Sequence, residues 1–383
     1  GTQTLDMANC VCIESEPGLQ ELSDTISNLT TNKVIGPSTE AHETLKSLST
    51  LKKSFSPQVN QLLSKLDTAS SRNILGCGSE EILVRSPDSF TLKGELKVLV
   101  HGKCMRWSSK SAQQRMLSNL NADIEIDCRQ VIAPKQSLSN CWFNTFFVAF
   151  FVSDRGRKFF RFFRELMILG KHADGTPIKN RKLAKALFLL NLCVDCSLNP
   201  TWWSEVPQMG RLLDTNNIIY VVANAIGRTN PKSIKGIREW GNPLRYYLGI
   251  KRFLEGEKNN QMPGVSINIY SNSVPAKAEL SDLIIVDNNP SQKASRKRLE
   301  FKRQGRVYKL DSVIIRDITK SHFSACLTCN DSSYVFDGAS FMGIKKFDWR
   351  SIINSSRQWK TGRKSKAFSF TESYSMWFYY RMT

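Results

Sequence analysis

The run Cys141-Trp142-Phe143-Asn144-Thr145-Phe146-Phe147-Val148-Ala149-Phe150-Phe151-Val152 is apolar nearly all round its helical wheel, with only Asn144 and Thr145 interrupting it before Ser153-Asp154. A helix with no polar face belongs in the middle of a domain. At about a dozen residues it is too short for a membrane span, which needs roughly 20. Burial inside protein is therefore expected, with Cys141 at the wall of the core. Everything else in the chain must supply the surfaces that cover this segment.

A cysteine at a helix N-terminus meets the positive end of the macrodipole and unpaired N–H groups, which favour thiolate over thiol. The blander reading, a free cysteine acting as a small core hydrophobe, stands beside it. A thiol nucleophile needs an imidazole to take its proton. The chain offers His42, His101, His172 and His322. His42 lies in a polar, helix-prone stretch and His172 in a Lys171-His172-Ala173-Asp174-Gly175 turn, and both are read as solvent-exposed. His101 ends the strand-like run Leu96-Lys97-Val98-Leu99-Val100 and is a reserve candidate.

His322 begins an alternating run, with His322, Ser324 and Cys326 on one face and Phe323, Ala325 and Leu327 on the other. Ser333-Tyr334-Val335-Phe336-Asp337 reads as the returning strand. A four-residue loop at Thr328-Cys329-Asn330-Asp331 pairs Leu327 with Ser332 and sets His322 directly opposite Asp337. Directly opposed Cβ atoms lie about 5 Å apart, close enough for the acid to fix the imidazole tautomer and steady the imidazolium. A two-residue turn at Asp331-Ser332 would instead bring Asp337 nearer Cys326.

These segments resemble the ubiquitin-specific protease branch of the papain-like cysteine peptidases. The family's cysteine box, roughly Gly-Asn-Thr-Cys-Tyr-Met-Asn-Ser, is similar to Leu138-Ser139-Asn140-Cys141-Trp142-Phe143-Asn144-Thr145. Its histidine box is similar to Ser321-His322-Phe323-Ser324-Ala325 followed by Tyr334-Val335-Phe336-Asp337-Gly338. The closing Tyr374-Ser375-Met376-Trp377-Phe378-Tyr379-Tyr380 is similar to that fold's aromatic last strand. The resemblance implies an α+β, papain-like domain in which a buried cysteine helix packs on an antiparallel sheet. It implies Cys141 as nucleophile, His322 as base, Asp337 as orienting acid and Gln136, where the family has Asn, as side-chain donor to the oxyanion. It also implies a protein substrate, with ubiquitin or a ubiquitin-like modifier as the candidate. The chain departs from the pattern in lacking the box glycines, in Gly338 where a second Asp stands, and in Gln for Asn.

Two Cys-x-x-Cys pairs occur, Cys193-Val194-Asp195-Cys196 and Cys326-Leu327-Thr328-Cys329, together with Cys10-Val11-Cys12. A structural zinc wants four ligands and no set completes one, so neither metal nor cofactor is expected. Cys193 and Cys196 suggest a redox pair to be tested by thiol titration. The ten irregularly spaced cysteines, and first residues without an apolar leader, are read as free thiols in a reducing compartment: cytoplasm, nucleus or virion. Residues 1–80 are expected to form a polar, partly helical extension with leucine stripes around Leu48 and Leu62, and 81–383 the protease domain.

Within that domain strands are expected at 81–84, 90–93, 96–101, 265–270, 283–286 and 313–315, and helices at 157–169 and 181–193. Asn217–Val222 fits helix or strand, and 207–210 a loop. Helices first and strands later give an α+β chain. The formal charge of +20 is concentrated in runs at 155–161, 293–303 and 357–366. Such runs attract polyanions, nucleic acid among them, and oppose long-range steering of a basic substrate tail. The alternative class is accordingly a non-catalytic, basic structural or nucleic-acid-associated protein, as in a viral particle, that retains the protease scaffold.

Overall fold

The computed structural model describes residues 96–383 apart from 137–139, 201–214, 223–242, 257–265, 291–295 and a few isolated positions. The expected N-terminal extension, His42, Cys10-Val11-Cys12, the strands at 81–84 and 90–93 and the loop at 207–210 lie outside the described residues. The chain is mixed α and β. After the hairpin β1 (Lys97–Val100) and β2 (Lys103–Arg106) come α1 (Lys110–Asn121), α2 (Cys141–Phe147), α3 (Asp154–Phe159), α4 (Arg161–Leu169), α5 (Arg181–Leu198) and α6 (Pro243–Glu255).

The strands follow: β3 (Ile267–Ser271), β4 (Leu283–Asn288), β5 (Glu300–Arg303), β6 (Arg306–Arg316), β7 (Phe323–Cys329), β8 (Ser332–Phe336), β9 (Lys345–Lys346), β10 (Trp359–Lys360), β11 (Ala367–Phe368) and β12 (Ser375–Arg381). One sheet runs β3-β4-β12-β6-β7-β8-β9, with β5 also on β6, and β10–β11 form a separate hairpin. The pairs of the large sheet are antiparallel except β3 with β4.

The central strands β4, β7 and β12 and the second half of β6 read as largely apolar runs because both of their faces are covered. Leu283, Ile285, Ile314, Phe323, Ala325, Leu327, Met376 and Phe378 belong to the core shared with the helices. Their neighbours Ile284, Val286, Val313, Ile315, Cys326, Val335 and Trp377 belong to a second core with Trp349, Trp359, Phe368 and Phe370. The last strand sits in the middle of the sheet, between β4 and β6, so the aromatic tail of the sequence is central.

The apolar run that opens at Cys141 is buried throughout, as its composition requires. It is not one α-helix: α2 gives way at Val148 to a π-turn spanning Val148–Val152, closed by the Ser153 N–H on the Val148 carbonyl at 3.1 Å. Phe150 meets Phe378 of the sheet edge-on at 5.6 Å, and Tyr247 of α6 stacks on Phe143 at 5.0 Å. Gly156 is obligatory at the bend that follows. A Cβ there would lie 2.4 Å from the Ala149 carbonyl oxygen and 2.6 Å from that of Phe150.

The helix expected at 157–169 is two, α3 and α4, and the one expected at 181–193 extends to Leu198. Within Asn217–Val222, where helix or strand was open, the described residues Ile218, Ile219 and Val222 are helical and buried. A buried polar knot joins three helices: Arg164 Nε donates to Asn191 at 2.8 Å, its guanidinium lies 3.6 Å from Asp195, and Asn119 donates to Asp195 at 2.7 Å.

The free-thiol expectation is corrected. Cys128 and Cys329 form a disulfide across 201 residues, and Cys104 and Cys141 are also disulfide-bonded. A pairing so distant leaves no trace in local spacing. Cys193 and Cys196 are in no disulfide and are fully buried in α5, and burial pushes the Cys196 thiol well up. Those two sulfurs are core side chains. Among the described residues, no helix is long and apolar enough to cross a membrane and no group of three or more potential ligands could hold a metal.

Candidate active site

The residues singled out in the sequence come from two parts of the fold. His322 stands at the mouth of β7, positioned by the tight connection from β6. There the Asp317 carboxylate accepts the N–H groups of Ser321 at 2.6 Å and His322 at 2.7 Å, while the Asp317 N–H bonds the His322 carbonyl at 2.9 Å. Asp317 was not singled out in the sequence. The Asp-x-Thr-x-Ser spacing of a side-chain-stabilised turn was the signal available.

Asp337 follows β8 directly, and His322 Nε2 meets its Oδ1 at 2.7 Å. The expected register is corrected. The hairpin turn is Asn330-Asp331, both with positive φ (48° and 60°), so Cys329 pairs Ser332 and Ala325 pairs Phe336. Extending that ladder sets Asp337 opposite Ser324, two residues from His322. A shift of two preserves the face, because side chains alternate with period two. The two groups therefore meet diagonally, which a ring and a carboxylate can span.

The carboxylate is held from several sides. Oδ1 also accepts the Ala339 N–H at 3.0 Å, and Oδ2 accepts the hydroxyls of Thr361 at 2.6 Å and Ser340 at 3.1 Å. Burial pushes this acid up, but the His322 imidazole and these donors outweigh it and hold the carboxyl below the ordinary Asp range. Both side chains are nearly sealed, His322 4% exposed and Asp337 0%. With Nε2 committed to the acid, Nδ1 is the ring nitrogen left for proton transfer.

Cys141 is the first residue of α2, 2% exposed, and α2 packs on β7. Thr215 braces the first turn, accepting from Asn140 Nδ2 at 3.0 Å and donating to Asn144 Oδ1 at 2.6 Å. Because Cys141 is disulfide-bonded, thiol chemistry there requires reduction first.

The segment leading to Cys141 reaches the acid's neighbour. A Cβ on Gly338 would lie 3.3 Å from Gln136 Cβ and 3.4 Å from its backbone nitrogen. With the Phe336 ring 3.2 Å from the same point, glycine at 338 leaves room for a close passage of the Gln136 segment. Gln136 is 7% exposed, and among the described residues neither its amide nitrogen nor its amide oxygen has a hydrogen-bond partner. A buried amide left unsatisfied costs about 1–3 kcal/mol per group and is uncommon in folded proteins.

The hairpin carrying His322 and Asp337 is tied at its other end to the helix run that starts at Cys141. Asp154, first residue of α3, accepts the N–H groups of Asn330 at 2.8 Å and Asp331 at 2.9 Å, and Cys329 at the turn bonds Cys128. The remaining described histidines stand elsewhere in other roles. His101 is exposed in the β1–β2 turn at φ 48°, and His172 is half-buried rather than solvent-exposed, its Nδ1 2.8 Å from the Phe253 carbonyl.

No family model matches the chain, and no curated protein matches it. Among solved structures, the chain is similar to the SAGA DUB module of Ubp8, Sgf11, Sus1 and Sgf73 bound to monoubiquitin, at 9% identity, TM-score 0.38, covering 86% of this chain and 100% of that one. It is similar also to the same module bound to ubiquitin aldehyde, at 8% identity, TM-score 0.38 and coverage of 69% and 72%. A third likeness is to an essential yeast splicing factor, at 11% identity, TM-score 0.31 and coverage of 68% and 73%.

Proposed function

We propose that this chain is a thiol peptidase or isopeptidase of ubiquitin-specific protease type on a papain-like domain, active once Cys141 is reduced. The observation that carries the reading is the sealed His322–Asp337 pair with the buried amide of Gln136, without a hydrogen-bond partner among the described residues, packed at Gly338. The Cys141 sulfur attacks the carbonyl carbon as His322 Nδ1 takes its proton. The Gln136 amide N–H donates to the oxygen as it gains charge. The C–N bond then breaks, His322 returns the proton to the leaving amine, and a thioester remains on Cys141. Water, deprotonated by the same imidazole, hydrolyses that thioester to a carboxylate and restores the thiol.

Asp337 stays ionised throughout, and its partners keep it below the ordinary range while the ring carries positive charge. The substrate is a protein, with ubiquitin or a ubiquitin-like modifier as the acyl side. Hydrolysis of a fluorogenic amide at the C-terminus of ubiquitin, by protein kept under reductant, tests the reading. Turnover lost in Gln136→Ala and His322→Ala supports it. No turnover above buffer in the reduced wild type refutes it.

The disulfide at Cys141 favours a second reading, a basic scaffold that has ceased to be catalytic and binds polyanions through its +20 charge. Salt-dependent nucleic-acid binding without turnover supports that reading instead.

A further inference from the structure

The acid that orients His322 is held partly by Thr361, which lies within a strongly basic surface that no step of the hydrolysis uses. The β10–β11 hairpin places Thr361 on Asp337, and Thr361 also meets Ser340 at 3.1 Å. Flanking that contact are Arg357, Lys360, Arg363 and Lys364, all exposed. On the neighbouring edge strand β9, Lys345 and Lys346 are exposed as well, and Phe347 beside them packs on Trp359 of the hairpin with ring centroids 4.9 Å apart. The two basic groups therefore form one surface. Between Asp337 and Glu372 the only acid in the sequence is Asp348. Among the described residues, none of these six cations is in an ion pair.

Like charges crowded on a two-strand edge and a short hairpin repel one another, so the arrangement costs stability unless an anion is bound there. No fully exposed ring is offered with them: Trp359 and Phe368 of the hairpin are buried in the second core, and Phe341, under Lys345 Nζ at 4.4 Å, and Phe347 are half-buried against it. A surface for single-stranded nucleic acid normally interleaves its cations with exposed rings on which bases stack. A surface whose six cations are exposed while its rings are turned into the core, one residue from the Asp337 contact, fits an anionic chain that needs no stacking. An acidic polypeptide segment has that chemistry.

We propose that the β9 edge and the β10–β11 hairpin dock an acidic stretch of the protein substrate, which makes them a specificity surface for the reaction. This rests on the hydrolase reading for its role and not for its binding. The test is fluorescence anisotropy of a labelled oligoglutamate peptide at low salt, on wild type, on Lys360→Glu/Arg363→Glu/Lys364→Glu and on the corresponding triple Gln variant. Circular dichroism confirms that each folds.

Weakening of about tenfold or more in the Glu variant, with a smaller loss in the Gln variant, is expected from removing three exposed charge pairs. Unchanged oligoglutamate affinity in both variants overturns the proposal. So does an oligothymidylate of equal charge that binds this surface and is not displaced by oligoglutamate. Where hydrolysis is measurable, KM for an acid-flanked substrate rises in the variants while kcat and the neutral-flanked substrate hold. Loss of oligoglutamate binding in protein that never turns over would sink the hydrolase reading and leave the docking surface standing.

Discussion

Replacing Asp337 by Asn and by Ala separates the charge of this residue from its hydrogen bonds. In Asp337→Ala, the His322 Nε2–H and the Ala339 N–H lose their acceptor inside a nearly sealed site. The Ser340 and Thr361 hydroxyls, 3.1 Å apart, can turn to each other. Two orphaned donors at about 1–3 kcal/mol each give a loss of about 4 kcal/mol, in line with about 3–5 kcal/mol for removing one partner of a buried pair. In Asp337→Asn, the amide oxygen keeps both N–H donors while its NH2 faces two hydroxyls that can rotate to accept. Loss of charge assistance is then offset by relief from burying the charge, leaving a cost of about 1–2 kcal/mol.

Asn keeps the hydrogen bond to the ring but supplies no countercharge for the imidazolium, so turnover should fall by more than about tenfold in Asp337→Asn and by about 10³ to 10⁴ in Asp337→Ala. Urea unfolding at neutral pH and initial hydrolysis rates on the same preparations are the assays. Asn and Ala variants equally unstable, or an Asn variant within tenfold of wild-type turnover, would refute the assignment of Asp337 as a charged orienting group.

Removing the Cys128–Cys329 bridge by the double Cys→Ala change should cost about 2–5 kcal/mol, because it closes a loop of 201 residues in the unfolded chain, and urea titration would register it. Gly156→Ala should destabilise by about 1–3 kcal/mol or more, since its Cβ meets backbone oxygens that cannot turn aside, and a lowered Tm checks it. Burial raises the Asp287 carboxyl to about 6, above an unfolded value of about 3.9, so the folded state prefers its protonated form. Stability tied to this group is complete below the unfolded value and lost as pH rises through about 6. Asp287→Asn should therefore leave stability unchanged in acid and raise it at pH above that range, as read from unfolding midpoints across pH.

The strands of the sheet were legible because both of its faces are buried, so β4, β6, β7 and β12 stand out as apolar runs. Face parity in the His322 hairpin was legible too, since period-two alternation survives any even slip. Register was not: it depends on the left-handed Asn330-Asp331 turn, and the choice of a four-residue loop moved the pairing by two. Asn followed by Asp is chemistry that a two-residue turn accepts, and weighting it more heavily would have found the pairing.

The π-turn at Val148–Val152 was hidden because burial on every side erases the periodicity that would expose a change of pitch. Helix α1 was missed for the opposite reason, as it buries only Ala112 and Met116 completely. Gln136 is legible through the resemblance alone, while its buried amide, without a partner among the described residues, and the room beside Gly338 are properties of the fold.

Alkylation of the reduced protein by limiting iodoacetamide across pH, with each cysteine followed by mass spectrometry, tests the central claim most directly. Cys141 should label fastest at neutral pH, ahead of the buried Cys193, Cys196 and Cys326, and should lose that advantage in His322→Ala. A Cys141 that labels no faster than those three, or that is indifferent to His322, would contradict it.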